Sequence, residues 1–141
     1  MAAFVKYDQF AVDLAAGVHT LTTAGSLLKI ALSNTAPTVA TDALLSNAAE
    51  IAYTNSDLVA QQDTANVGSE TPAGTWDVAG TDIVITATGA VATFQYVILW
   101  NDTPTSPLDP LIGYWDYGSG VTLANGETFT VNFGAQMFTI A

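Results

Sequence analysis

His19 is the one histidine of this 141-residue chain, and no cysteine accompanies it. A zinc site of His and Cys ligands therefore has nothing to assemble from. Serine nucleophiles need a base and a strained turn such as Gly-x-Ser-x-Gly, and the nearest match, Gly118-Ser119-Gly120, reads as a plain turn. His19 follows a predicted helix end, where an imidazole is solvated or complements the helix dipole. A lone titratable group of this kind makes no catalytic machine. The reading is that the chain is not an enzyme and has no catalytic residues.

The other groups able to do chemistry are carboxylates. A glycosidase pair needs two facing acids, and a calcium loop needs clustered oxygens. Here the acids are nearly all single and widely spaced; Asp57 with Asp63 and Asp77 with Asp82 come nearest to a cluster, flanking a polar loop and a turn. Neither Lys6 nor Lys29 follows a glycine-rich loop that could cradle phosphate. No metal and no cofactor is expected. Asn101-Asp102-Thr103 matches a glycosylation acceptor in form only.

Thirteen acidic residues against two lysines give a net charge of -11. The balance is uneven along the chain. Residues 1–29 set Lys6 and Lys29 against Asp8 and Asp13, whereas residues 30–141 carry acids from Asp42 to Glu127 and no base. Nucleic acids and anionic membranes draw affinity from Lys and Arg, so both are excluded as partners. Asp8 and Asp13 interrupt any signal-like apolar stretch, and no segment reaches the roughly 18 apolar residues of a membrane span.

The elements that must carry these groups are mostly strands. Tyr7, Phe10, Ala11 and Leu14 stand at i, i+3, i+4 and i+7, which predicts one short amphipathic helix over about residues 4–16, ended by Gly17. Strands are expected at 27–32, 50–53, 74–78, 82–87, 92–100, 111–117, 120–123, 128–133 and 136–140, between turn-formers such as Pro72-Ala73-Gly74 and Asn125-Gly126. Residues 82–86 and 128–133 alternate apolar and polar, as half-buried strands do. Tyr96–Trp100 is apolar throughout, as a central strand covered on both faces. Residues 36–48 and 57–73 read as long polar loops.

Half the residues are hydrophobic, enough to bury a core at this length. The chain is thus expected to be a single domain over 1–141, mainly β, an antiparallel β-sandwich or barrel with one short N-terminal helix. Residues 1–29 form a neutral segment leading into the first strand and 30–141 an acidic body. Tyr96, Trp100, Tyr114, Trp115 and Tyr117 gather in one region, as core or as a contact surface.

Three stretches resemble small virion proteins of tailed bacteriophages: KYDQFAVDLAAGVH at 6–19, LKIALSNTAP at 28–37, and GYWDYG at 113–118 continuing into VTLANGETF at 121–129. The resemblance touches both ends of the chain and skips residues 54–95. It implies a virion structural protein, most like a capsid decoration (cement) protein. Such a protein is made in the host cytoplasm, binds the outer capsid surface and bridges major capsid protein subunits.

Such interfaces usually bury more than about 1,000 Å² around apolar anchors, and symmetric clusters suit them, here a homo-oligomer, dimer or trimer. Phe4, Tyr7, Phe10 and Leu14 are the candidate contact residues. Two rivals stand beside this reading: a tail or neck component such as a tube or terminator protein, and a carbohydrate-binding sandwich with Trp100, Tyr114 and Trp115 as its platform.

Overall fold

The computed structural model describes residues 2–58 and 62–141. In chain order the elements are β1 (Phe4–Lys6), α1 (Asp8–Ala15), β2 (Leu28–Ser33), β3 (Gln62–Asp63), β4 (Val67–Thr71), β5 (Thr75–Ala79), β6 (Ile83–Thr86), β7 (Phe94–Asn101), β8 (Leu111–Val121), β9 (Thr128–Val131) and β10 (Phe138–Ile140), with a 3-10 turn at Leu45–Asn47. All the strand pairs between them are antiparallel, and the fold is mainly β and sandwich-like, with one α-helix.

One layer is a five-stranded sheet in the order β1-β8-β7-β2-β3. The sheets β10-β5-β4 and β6-β9 face it across the main core, which joins Leu28, Ile30, Leu32, Val97, Leu99 and Trp115 to Val78, Ile85, Val131 and Phe138. β7 is the central strand, and its alternate residues enter two cores. Val97 and Leu99 face the sandwich interior, while Ile98 and Trp100 join Tyr7, Ala31, Leu45 and Leu111 in a second core on the outer face. This double covering is what the unbroken apolar run of β7 requires. The alternating strands also stand as expected: Ile83 and Ile85 are buried while Val84 between them is 54% exposed.

Four expectations give way. The first three residues of the expected 4–16 helix form a strand instead, because Phe4–Lys6 pairs with Trp115–Gly113 and completes an edge. The helix starts only at Asp8, after Tyr7 in an extended conformation. Its end is as read: Gly17 at φ 76 lets its N–H bond the Leu14 carbonyl at 3.2 Å and the Val18 N–H bond the Asp13 carbonyl at 2.9 Å, a Schellman close.

Residues 50–53 make a single bridge, Ser33 to Glu50, in place of a strand. There the Tyr53 hydroxyl accepts the Leu32 N–H at 3.1 Å and donates to Glu50 at 2.6 Å, so a side chain does what a strand partner would do. Gly118-Ser119-Gly120 is no turn between two strands; it lies inside β8 as a bulge, with Tyr96 opposite Asp116 but Phe94 opposite Val121. Gly118 at φ 89 and its N–H on Asp116 Oδ1 at 2.7 Å hold the bulge. Finally, the polar stretch 57–73 contains β3 and β4; its residues 59–61 lie outside the described ones. β3 and β4 are edge strands with largely exposed side chains, so they carry no apolar alternation to read.

Candidate functional site

The neutral first segment is built into the body. β1 pairs along β8, and the site this creates depends on Gly113, which lies opposite Lys6. A Cβ at Gly113 would run into the Phe4 ring and stand 2.6 Å from the Val5 carbonyl. The missing side chain is what allows Phe4 to lie down across the sheet, stacked on Phe138 of β10 at 5.1 Å and tilted against Trp115 at 5.2 Å.

α1 then crosses beside β1 and sends Phe10 inward onto Phe138, edge to face at 5.8 Å. The result is an apolar groove of about 340 Å³, with Phe4 and Lys6 on one wall, Ala11 and Leu14 of α1 on another, and Phe138 and Ile140 along β10. β1 and β10 are each the outermost strand of their sheet, so the groove lies between two sheet edges. Among the described residues no Asp or Glu side chain lines it; Ala141 stands at its end, and Lys6 is exposed at its side.

The four expected contact residues therefore divide. Phe4, Phe10 and Leu14 share the groove, with Phe4 and Leu14 partly exposed and Phe10 only 3% exposed as its floor. Tyr7 does not join them. It is fully buried on the opposite face of the sheet, against Tyr114 at 5.6 Å, because an extended residue between Lys6 and Asp8 points away from its helical neighbours. As folded, Tyr7 and Phe10 are core residues and not surface anchors. Sequence reasoning missed Ile140, Phe138 and Ala11. The strand at 136–140 was legible, but nothing in a linear pattern says which edge it faces.

The aromatic platform fares similarly. Trp100 and Trp115 are 3% and 4% exposed, in the outer and inner core, and only Tyr114 beside them is partly exposed. They present no open stacking surface. Asn101 of the glycosylation-like triplet is fully buried.

His19 is neither solvated nor placed to complement the dipole. It is buried under Phe10, with ring centroids 5.1 Å apart, and its Nδ1 accepts from Asn101 Nδ2 at 3.0 Å. The same amide nitrogen donates to Ser26 Oγ at 3.1 Å, so it stands between imidazole and hydroxyl. An accepting Nδ1 assigns the neutral Nε2–H tautomer. Burial holds the imidazole pKa below its ordinary 6.5, and the nearby Asp13 carboxylate works weakly the other way. Among the described residues no group of three or more His, Asp or Glu could hold a metal ion.

That geometry sets a pH dependence. The unfolded chain takes up the His19 proton more readily than the folded one, so this contribution is complete above about pH 6.5 and declines as pH falls through the unfolded value, with a limiting slope of about 1.4 kcal/mol per unit. Urea midpoints at pH 7.5 and pH 5.5 should fall further for the parent chain than for His19→Gln. Equal changes in the two would remove His19 from the account. Comparing the two chains cancels the opposing relief of self-repulsion among the carboxylates.

No protein-family model, no curated protein and no solved structure matches this chain.

Proposed function

We propose that the chain is a structural protein of a bacteriophage particle, a decoration protein that docks on the outer capsid surface and bridges major capsid protein subunits. The observation that carries this reading is the groove between β1, α1 and β10: an apolar patch with no Asp or Glu side chain in its lining, on a body of net charge -11. Elsewhere the carboxylates repel like-charged surfaces and packaged DNA, which favours the outside of a shell over its lumen. The occupant suited to the groove is an apolar segment of the major capsid protein, laid as an extra strand along β1 or β10, where main-chain hydrogen bonds supply affinity. A homo-oligomer of two or three copies would present several grooves to a symmetric shell.

Removing residues 1–16 would not test this, since it takes away β1 and Phe10 together with the groove. Ala11 and Thr139 line the groove with exposed side chains, so Ala11→Glu and Thr139→Glu place charge there without entering the core. Each variant should keep its near-ultraviolet circular dichroism and lose about tenfold or more in affinity for empty capsids, since an unpaired charge would be buried on docking. Unchanged capsid binding by both would sink the groove as the docking site. Ring formation by the purified chain would favour a tail-tube or terminator component instead.

A further inference from the structure

On the outer face of the five-stranded sheet, away from the groove, residues 33–49 fold over β2 and β7 and leave a cup of about 220 Å³. Its floor is Tyr7, Ser33 and Ile98, all buried, and its rim carries Pro37, Thr38 and Asp42. The loop is pinned at both sides of the cup. Asp42 Oδ2 accepts the Thr38 N–H at 2.7 Å, and Ser33 Oγ donates to the Ala49 carbonyl at 2.7 Å.

Two features of the cup are unbalanced. The Tyr7 hydroxyl is buried and has no hydrogen-bond partner, although such groups in native proteins nearly always have one. Burial first, and then the Asp42 carboxylate acting through space, hold that hydroxyl from ionising, yet no bond joins it to Asp42. Among the described residues no lysine or histidine lines the cup, and Lys6, next in sequence to Tyr7, lines the groove instead. The space is large enough for several waters at about 30 Å³ each.

We infer that this cup binds a primary alkylammonium group, the head of a lysine side chain presented by a partner protein. The ammonium donates to the Asp42 carboxylate and the Tyr7 hydroxyl oxygen, and its alkyl stem lies against Ile98 and Pro37, as lysine stems do on apolar surface. The other ligand classes fit less well. An anion meets the unneutralised Asp42, and a divalent metal finds only one carboxylate among the lining residues. A neutral alcohol leaves the charge of Asp42 unmatched. The inference does not rest on the groove, and groove variants should leave it untouched.

Amide and side-chain NMR shifts of the whole chain, titrated with n-butylamine hydrochloride, n-butanol and Nα-acetyl-lysine methylamide, test it. The two ammonium compounds should bind in the millimolar range, with shifts confined to Tyr7, residues 33–49 and Ile98, and butanol should bind about tenfold more weakly or not at all. Asp42→Asn keeps an oxygen for the Thr38 N–H and should weaken both ammonium ligands about tenfold. Tyr7→Phe should also weaken them while leaving the urea midpoint nearly unchanged, because it deletes a hydroxyl that no other group of the chain bonds. Absence of shifts in the cup, or binding of butanol as tight as that of butylamine, would overturn the site. Binding of butylamine without the lysine derivative would overturn lysine as the source.

Discussion

Phe10→Ala should destabilise the fold by about 3–5 kcal/mol, the range for removing a buried phenylalanine ring, and lower the melting temperature by on the order of 10 °C. Phe10 is 3% exposed and packs α1 against Phe138 of β10 and against His19, which in turn is bonded to Asn101 of β7. Truncation would leave a cavity against Phe138 and remove the ring that covers His19, beside the buried Asp13. A surface anchor gives a different result, since exposed side chains away from special features change stability by no more than about 0.5 kcal/mol. Urea unfolding of the purified chain decides between the two. A loss below about 1 kcal/mol would mean that Phe10 is not part of the core.

Gly113→Val is expected to cost about 3 kcal/mol, at the upper end for overpacking, because one of the colliding groups is backbone. A longer Phe4 side chain can swing away, but the Val5 carbonyl, 2.6 Å from where a Cβ would stand, can move only if β1 leaves β8. The loss should therefore be local before it is global. Hydrogen exchange at the β1 amides that bond β8 should accelerate, and Trp115 fluorescence should change as Phe4 withdraws from 5.2 Å. Protection of those amides at the parent level, with unchanged stability, would show that β1 tolerates a side chain beneath it.

Much of the fold was legible where one periodicity ruled. The alternation at 82–86 and 128–133 marked two half-wet strands, and the unbroken run at Tyr96–Trp100 marked the strand with a core on each face. Reading failed where two periods overlap in one short stretch. Phe4, Tyr7 and Phe10 have helical spacing, yet the chain changes from strand to helix at Tyr7, so the three side chains do not share a face. Whether Phe4–Lys6 is strand or helix depends on Gly113, more than a hundred residues away, and no local pattern contains that fact.

The site was legible in part for the same reason. Phe4, Phe10 and Leu14 do line one groove, but its other side comes from the opposite end of the chain, Phe138 and Ile140. The burial of His19 was hidden because its partner Asn101 sits at the end of a strand 82 residues on. The charge asymmetry, by contrast, needed no structure. What the fold adds is that the first residues do not form a free arm: they are the edge strand and helix that frame an apolar groove, with Lys6 at its side, on an anionic body.

The most direct test of the central claim is composition of purified phage particles, made with the chain and without it, by quantitative mass spectrometry and cryo-electron microscopy. The chain should lie on the outer shell in copy number comparable to the major capsid protein, with density from that protein meeting the β1 and β10 edges. Particles made without the chain should keep their DNA and lose resistance to heat. Finding the chain only in tails or necks, or absent from particles, would contradict it.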